Sequence, residues 1–570
     1  MPSPTNWELW PAHLAARKSP AALPTLLETD LATSLLWGVD TAQRAGALGN
    51  FMNVLKQKRS TSSASATIAQ LTWWRATLVE QPAGLELGLT AIAWTHLLPE
   101  LAASLSAESW QGLLADLLKL ASDAAALNPV EQPLAHQLLA VELPLTLAYQ
   151  FPELPECIEQ ARSARKLWAW GAEELTDGEG LPAGENLALM KPLLACWTRL
   201  MTLSRALPEP TIDEDTQVQF EWLLRQTVRL MRPDGSLVFT PESKTSDMQE
   251  LATAALRQIA DPEDHLLVKC AFRGVEAKKA SPKKPKAGKK GLPEPFIYSE
   301  WSKTGLLRSD WSLGAPRLAV TYDRRRVQCE LSSDGQVLLS GLWTPEVGID
   351  GWNWTPENEW EEVCWHTDED VVYLEIETSL NSGWKIQRQI LLARKERFVL
   401  LADAVVGDQP AQLTYRSVLP LPAGRRFLPS DETREGYLAG KRTQALVLPL
   451  ALPEWRSESG GELQATEAGL QLTQAHHGSR LFAPLFIDLD PQRLRKECTW
   501  RQLTVAELLV IQPRDSAVAY RVQIGSEQWS VYRSLGPKGN RTFLGHNVVS
   551  ECQVAKFLKD GSAEVILEVE

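Results

Sequence analysis

The sequence lacks the marks of disulfide-rich, membrane-spanning and nucleic-acid-binding proteins. Its seven cysteines are odd in number and scattered, with no CxxC pair, which argues against a disulfide framework or a cysteine-based zinc site. No run of 18 apolar residues predicts a membrane span, and no basic segment followed by an apolar one predicts a signal peptide. A net charge of -13 argues against a dedicated nucleic-acid binder. We therefore expect a soluble cytoplasmic protein.

Strong generic catalytic motifs are missing as well. There is no GxGxxG opening a helix, no GxxxxGK[ST], no HExxH and no GxSxG. The adjacent pair His476 and His477 would point to opposite faces of a strand, so we interpret it as turn residues rather than as metal ligands. The sequence thus predicts no metal and no cofactor.

Tryptophan is unusually abundant, with 22 residues against 12 Phe and 8 Tyr. Its broad apolar ring and single N–H donor serve both large cores and flat binding surfaces. Otherwise, 44% hydrophobic and 23% charged residues are typical of globular proteins, and 570 residues predict more than one domain.

The first half of the chain is predicted to be helical. Between residues 21 and 270, apolar residues recur at i, i+3, i+4 and i+7 in segments of ~15–20 residues that Pro and Gly separate. About ten such helices with short connections fit either a linear solenoid or helical hairpins closed into an α/α toroid. Because no repeat of fixed period is visible, we favour an incomplete toroid over residues 1–275.

A basic segment and a long run of strands follow. Residues 276–295 hold seven lysines and four prolines, which predicts an exposed linker or loop; the alternative is an electrostatic contact with a polyanion. From Phe296 the apolar period becomes two, with turn residues between the segments. A dozen or more strands over residues 296–570 predict a large antiparallel β-sandwich.

Residues 342–370 form the densest cluster of aromatic and acidic side chains. The cluster lacks strand alternation, so we interpret it as a long loop. Aromatic rings interleaved with carboxylates suit a sugar-binding surface, since rings stack on sugars and acids accept their hydroxyl protons. Equally, the tryptophans can plug the end of the sandwich. The cluster contains Trp343, Trp352, Trp354, Trp360, Trp365, Glu357, Glu359, Glu361, Glu362, His366 and Asp368.

Several segments resemble the heparinase II/III-like polysaccharide lyases. They are PDGS (233–236), FIYSEWSKTGLLRSDW (296–311), RLAVTY (317–322) and QRQILLARKERFVLLADAVVGDQ (387–409), with WSVYRSL (529–535) and NRTFLGHNVVSE (540–551) near the end. The resemblance implies an α/α toroid followed by an antiparallel β-sandwich. It also implies β-elimination at a uronic acid, with the carboxylate neutralised by Asn, Gln or Arg and with Tyr and His as base and acid.

The sequence departs from that family at two catalytic positions. Where the family has a histidine-rich stretch, RRRVQCELSSDGQ (324–336) has Gln328, Cys329 and Glu330 instead. The tyrosine expected after PDGS is absent between Leu237 and Asp247. The chain is therefore a divergent member by this resemblance.

Candidate site residues follow from the resemblance and from location. Asn186 would neutralise the uronate, and Arg324 and Arg326 would clamp it. The candidate catalytic residues are Asn186, Tyr298, Tyr322 and His366. The candidate substrate-binding residues are Arg324, Arg326, Glu330, Trp352, Trp354 and Glu359.

Three hypotheses about function remain open. The chain is a divergent lyase acting on an acidic polysaccharide or oligosaccharide, or an inactive pseudo-enzyme that binds glycan or protein on the same scaffold. The third is a helical scaffold fused to a sandwich with no carbohydrate role. The expected partner is an acidic glycan, with neither nucleic acid nor membrane, and the oligomeric state is open.

Overall fold

The computed structural model describes residues 7–17, 20–56, 63–78, 80–207, 212–241, 247–273, 292–380, 383–457 and 460–570. Contacts divide them into a helical unit up to Phe272 and a sheet unit from Pro293 onward. Most of the lysine-rich segment 276–295 lies outside the described residues, so the domain boundaries at 275 and 295 remain a proposal.

The helical unit contains fifteen described α-helices. They are α1 (Leu9–Ala16), α2 (Leu23–Leu27), α3 (Leu31–Leu36), α4 (Thr41–Ala45), α5 (Ala47–Lys56), α6 (Ser63–Thr77), α7 (Leu85–Leu101), α8 (Ala107–Ala124), α9 (Pro133–Ala135), α10 (Leu143–Gln150), α11 (Pro155–Leu175), α12 (Met190–Ala206), α13 (Glu214–Leu230), α14 (Asp247–Leu256) and α15 (Pro262–Arg273). Asp30, Ser106 and Asp213 cap α3, α8 and α13 by accepting a backbone N–H three residues on.

One predicted helix is interrupted. The sequence predicts a single helix over residues 131–151, but a π-helix, His136–Glu142, joins α9 to α10. All seven residues of the π-helix are buried, its polar ones included. Arg199 Nε donates to Glu142 at 2.6 Å, and Trp197 Nε1 donates to Gln137 at 2.9 Å. These bonds satisfy polar groups that an apolar helix core would leave without partners.

The sheet unit contains 25 described strands. They are β1 (Ile297–Ser299), β2 (Thr304–Arg308), β3 (Arg317–Thr321), β4 (Gln328–Ser333), β5 (Gln336–Leu342), β6 (Thr344–Ile349), β7 (Trp352–Trp354), β8 (Glu361–Thr367), β9 (Val371–Ser379), β10 (Lys385–Ala393), β11 (Phe398–Leu419), β12 (Arg426–Pro429), β13 (Gly436–Ala439), β14 (Thr443–Pro449), β15 (Gly461–Thr466), β16 (Gly469–Asp488), β17 (Cys498–Leu503), β18 (Ala506–Glu507), β19 (Val510–Ile511), β20 (Ala517–Ile524), β21 (Glu527–Ser534), β22 (Arg541–Phe543), β23 (His546–Val548), β24 (Cys552–Phe557) and β25 (Ala563–Val569).

These strands form four antiparallel sheets. The first is β1-β2-β3-β4-β5, and the large sheet runs β12-β13-β14-β16-β11-β10-β9-β8, with β15, β6 and β7 attached. The third sheet is β17-β20-β21-β24-β25, and a small sheet is β19-β18-β22-β23. One apolar core lies between the first and the large sheet, and a second lies between the large and the third sheet. The predicted fold class, a helical toroid followed by an antiparallel sandwich, is confirmed.

Burial on both faces explains the near-continuous apolar runs of the large sheet. On β9, Val372 and Leu374 face the first core, whereas Val371 and Tyr373 face the second. Because successive residues point to opposite faces, a sheet buried on both sides needs apolar residues at nearly every position.

Two predictions about strands are corrected. The apolar alternation predicts separate strands over residues 397–406 and 412–421, but the structure has the single strand β11 there, whose register shifts between Val406 and Ala411. Along one edge β11 pairs with β10 before this irregularity and with β6 after it. His476 and His477 lie within β16 rather than in a turn, and His476 Nε2 is 2.8 Å from Asp515.

A buried ion pair crosses the centre of the large sheet. Arg388 and Asp403 are fully buried and share two hydrogen bonds of 2.8 Å, and Tyr415 donates to Asp403 at 2.6 Å. The Arg388 guanidinium lies 3.6 Å from the ring centroid of Trp343 and 4.9 Å from that of Trp360. These two tryptophans of the 342–370 cluster are therefore core residues.

None of the described helices is long and apolar enough to cross a membrane.

Candidate functional site

A chain of three hydroxyl and carboxyl groups lies where the first sheet meets β8. Tyr298 Oη donates to Glu362 Oε2 at 2.7 Å and lies 2.7 Å from Tyr322 Oη. Since the Tyr298 proton goes to Glu362, Tyr322 is the donor between the two phenols. Tyr298 and Glu362 are half-buried, whereas Tyr322 is only 1% exposed. Two predicted catalytic residues, Tyr298 and Tyr322, are therefore in direct contact.

Strand pairing brings the two tyrosines together. Tyr298 on β1 lies opposite Gly305 on β2, which lies opposite Val320 on β3. Tyr322 follows Val320 by two residues and therefore faces the same side. Alternation along each strand determines which face of the sheet each tyrosine is on. The contact between the two tyrosines also depends on the order of the three strands in the sheet.

A β-bulge on β8 brings in the carboxylate. The register shifts between Glu362 and Cys364, so that Glu362 pairs with Ile376 and Trp365 pairs with Leu374, both on the side of the first core. Trp365 stacks on Tyr298 with ring centroids 4.9 Å apart. Bulges commonly redirect side chains in this way. Glu362 and Trp365 thus belong to the site although neither was among the predicted site residues.

The same bulge separates His366 from the tyrosines. His366 pairs with Tyr373, whose side chain faces the second core, so His366 lies on the opposite face of the large sheet. It is exposed, with Nε2 3.4 Å from Asp368. The structure therefore does not bring this predicted catalytic residue to Tyr298.

Both phenols are held in the neutral form. Burial, the hydrogen bond that Tyr298 donates to Glu362, and the Glu362 charge raise the pKa of Tyr298 far above its ordinary value. Burial raises the pKa of Tyr322 to about 12, and the Glu362 and Glu300 carboxylates act in the same direction. At neutral pH Tyr298 is thus a proton donor and not a phenolate base.

Cationic side chains lie around Glu359, which precedes Glu362 by three residues. The backbone N–H of Tyr322 donates to Lys303 O at 3.1 Å, and Lys303 Nζ donates to the exposed carboxylate of Glu359. That hydrogen bond and the charges of Lys303, Arg325 and Arg324 lower the pKa of Glu359. The predicted binding residues Arg324 and Glu359 are therefore neighbours, joined by Lys303 and Arg325, which were not predicted as site residues.

The turn that carries the arginines has a strained backbone. Arg324 and Arg325 have φ angles of 47° and 66°, and Arg326 N donates to Asp323 O at 2.9 Å to close the turn. Two successive positive φ angles at the centre of a turn favour Asn-Gly, whereas each longer side chain there costs roughly 1–2 kcal/mol. All three arginines are exposed. Such strain is typical of functional positions.

The tryptophan-rich segment is a hairpin and not a long loop, which corrects the sequence interpretation. β6 turns at Asp350 and Gly351 into β7 and pairs with β11. Trp352 and Trp354 share one face of β7, opposite Ile349 and Val347. Trp352 is 72% exposed and Trp354 is half-buried, so this pair keeps a surface available for a ligand.

Two further predicted residues are Glu330 in the first sheet and Asn186 in the helical unit. Glu330 is 2% exposed on β4, with Oε2 3.2 Å from Ser340 Oγ. Its neighbours Cys329 and Leu331 face the first core, so Glu330 points to the other face of the first sheet. Asn186 belongs to the helical unit, in the 3-10 helix Gly184–Leu189, where its backbone N–H donates to Ala183 O at 2.7 Å.

Within the described parts of the chain, no three His, Cys, Asp or Glu side chains are grouped closely enough to hold a metal ion. All seven cysteines are free thiols.

Comparison with known proteins supplies a fold but no close relative. No protein-family model matches the chain, and no curated protein matches it. Heparinase III is similar with a TM-score of 0.59 and 11% identity, over 85% of this chain and 82% of that chain. Heparan sulfate lyase HepC from Pedobacter heparinus is similar with a TM-score of 0.56 and 11% identity, over 93% of this chain and 94% of that chain. The chain therefore has the fold of these heparinase III-like lyases, carried by a divergent sequence.

Proposed function

We propose that the chain is a divergent polysaccharide lyase that cleaves an acidic, uronic-acid-containing glycan by β-elimination. The observation that carries the proposal is the hydrogen bond from the half-buried Tyr298 to Glu362. Three residues before Glu362, the carboxylate of Glu359 lies within the influence of Lys303, Arg324 and Arg325. The fold shared with heparinase III and heparan sulfate lyase supports the same class of substrate.

The proposed chemistry divides the work among these groups. A guanidinium of the turn, Arg324 or Arg325, neutralises the uronate carboxylate, which makes the C5 proton acidic. Glu362 accepts that proton, the C4–O bond breaks, and a C4–C5 double bond forms. Tyr298 gives its proton to the departing oxygen, and Glu362 returns a proton to Tyr298 through their hydrogen bond.

Electrostatics favours this order of events. The charge of Glu362 is one of the causes that raise the pKa of Tyr298. When Glu362 takes the C5 proton, that charge is neutralised, so Tyr298 becomes a stronger acid at the step in which it must donate. Tyr322 is buried and would only orient Tyr298, as a positioning residue.

The exposed Trp352 and the half-buried Trp354 extend the proposed binding surface. Trp352 and Trp354 offer rings on one face of a hairpin, which suits stacking on sugar rings. We expect Trp352→Ala to raise KM while leaving kcat nearly unchanged, because the ring would bind the ground state and the transition state alike.

A second candidate is a pseudo-enzyme that binds the same class of glycan without turnover. It is favoured by the raised pKa values of both tyrosines and by the position of His366 on the opposite face of the large sheet. A phenol that cannot ionise at neutral pH does not replace the missing base by itself.

A scan of uronate polysaccharides for the ultraviolet absorbance of the unsaturated product tests the proposal. We expect one or more polymers to yield product with the unaltered chain. Binding without product on every polymer refutes the lyase and supports the pseudo-enzyme, whereas neither binding nor product refutes both and leaves a scaffold without a carbohydrate role.

A further inference from the structure

A second concave surface of the sheet unit lies at the end of β14. It encloses a cavity of about 410 Å³, lined by the segment from Leu450 to Trp455 together with Trp500, Arg501, Gln502 and Arg514. A cavity of this size is within the range of small-molecule binding sites.

The segment that follows β14 is fixed by hydrogen bonds from Arg434. Arg434 is 3% exposed, and its guanidinium donates to the backbone oxygens of Pro453 (3.0 Å), Trp455 and Gly461 (3.2 Å). The backbone N–H of Arg434 donates to Glu454 O at 2.9 Å. A buried charged side chain committed to loop carbonyls fixes the backbone that presents Trp455.

Trp455 itself remains 49% exposed at the cavity. Trp500 is buried, and its Nε1 donates to Leu452 O at 2.9 Å, so it forms a fixed wall of the cavity. The Trp455 ring therefore offers a flat apolar surface to a ligand. Because the backbone that carries it is already fixed, binding loses little conformational entropy there.

Two arginines and one glutamate are the charged residues that line the cavity. Arg501 and Arg514 are exposed, and neither forms an ion pair with another residue in the part of the chain that the structure describes. Glu454 accepts a hydrogen bond from Thr499 at 2.6 Å, and Gln502 contributes an amide that can donate and accept. Two guanidinium groups, one ring and several hydroxyl-compatible polar groups match an acidic sugar better than a purely apolar ligand.

This cavity is distinct from the site around Tyr298. In the large sheet, β14 and β8 are separated by β16, β11, β10 and β9. With neighbouring strands 4.7–4.9 Å apart, the two places are about 24 Å apart across the sheet.

We propose that this cavity is a second binding site for acidic saccharides, in which Trp455 stacks on a sugar ring and Arg501 and Arg514 bind its carboxylate or sulfate groups. The site needs no turnover at Tyr298 and goes beyond the proposed function. Its role is to hold a remote part of a long glycan, which raises affinity for long chains by effective concentration.

The test measures heparin binding by calorimetry on the full chain carrying Tyr298→Phe, so that no cleavage intervenes. On this background we expect Trp455→Ala and the pair Arg501→Ala, Arg514→Ala each to weaken heparin affinity by about tenfold. Trp73→Ala is the matched control, since Trp73 is 56% exposed in the helical unit and should leave affinity unchanged. Polyglutamate serves as an anionic polymer without sugar rings.

The outcomes separate this proposal from the others. Loss of heparin affinity in Trp455→Ala, with unchanged polyglutamate binding and unchanged melting temperature, supports the saccharide site. No heparin binding, unaltered binding in Trp455→Ala, or equal losses with heparin and polyglutamate overturns it. If heparin binding depends on Trp455 but the unaltered chain forms no product, only the lyase is refuted. If the unaltered chain forms product but heparin binding does not depend on Trp455, only this site is refuted.

Discussion

Tyr298 and Glu362 share a hydrogen bond of 2.7 Å that links the first sheet to the edge strand of the large sheet. The bond gives the site one neutral donor and one carboxylate acceptor in contact. A proton can pass between the two without a water molecule, which is the basis of the proposed mechanism.

We therefore expect Tyr298→Phe to reduce product formation at least a hundredfold, within the range typical of general acid–base groups. The ring remains and keeps its stacking on Trp365, so the free energy of unfolding should fall by only about 1 kcal/mol. Product absorbance and thermal melting measure the two effects.

Tyr437→Phe is the control for this change, because Tyr437 is another half-buried tyrosine of the sheet unit, on β13. It should retain full activity. A Tyr298→Phe variant as active as Tyr437→Phe would refute the role given to the Tyr298 hydroxyl.

Replacing the arginine turn should stabilise the chain while weakening glycan binding. Arg324→Asn with Arg325→Gly places at φ angles of 47° and 66° the residues that tolerate them, for a gain of roughly 1–2 kcal/mol. The same change removes two cations next to Lys303 and Glu359. Denaturant unfolding and the KM for the glycan check the two directions.

Arg326→Ala is the comparison, since it removes a neighbouring cation at a residue whose φ angle is not positive. It should lower affinity without any gain in stability. A turn variant that binds glycan as well as the parent would show that the strained backbone serves no binding role.

Cutting the central ion pair should be among the most destabilising single changes. Arg388→Ala leaves Asp403 buried without its partner, at a cost of about 3–5 kcal/mol. The stability of Arg388→Lys should lie between that of the parent and that of Arg388→Ala, because lysine keeps the charge but loses the paired N–H groups. Arg416→Ala breaks the partly exposed pair with Glu346 and should cost roughly 0–1 kcal/mol. Equal losses for Arg388→Ala and Arg416→Ala would contradict this account.

Stability should also fall in mild acid because of His136. Burial lowers the pKa of His136 to about 4, against an ordinary value of 6.5. The unfolded chain therefore binds more protons between these values, so this contribution to stability is complete above pH 6.5 and is lost as the pH falls towards 4.

The Asn variant tests this pH dependence. His136→Asn keeps an acceptor for Gln137, whose Nε2 is 3.1 Å from His136 Nδ1, but it cannot titrate. Unfolding free energies followed by far-ultraviolet circular dichroism should fall less steeply with pH in this variant. His477→Asn, at an exposed position, should behave as the parent does; parallel curves for all three proteins would exclude His136 as the cause.

Periodicity was sufficient to predict most helices and strands, because burial imposes the period directly. It failed where one element changes geometry internally. The apolar pattern over residues 131–151 is the same for an α-helix and for the π-helix His136–Glu142 within it. Likewise, the segment between Val406 and Ala411 looks like a turn, whereas β11 continues through it.

The site was harder to predict because it depends on contacts between distant segments. Tyr298 and Tyr322 were identified, but the carboxylate that bonds to Tyr298 was hidden by the bulge at Val363. Strict alternation would place Glu362 and His366 on one face, and the bulge puts them on opposite faces. Single-sequence periodicity carries no signal for an inserted residue of this kind.

The pairing of β11 with β16 also governs how the sheet unit can fold. Phe398 pairs with Asp488 and Leu419 with Leu470, so the outer part of this ladder forms only after the intervening strands are brought together. Contacts between distant residues slow folding, whereas neighbouring helices close short loops quickly. During synthesis the helical unit emerges first and can fold early. The sheet unit must wait until β16 has been made, and until then the edge of β11 that pairs with β16 is open to pairing with other chains.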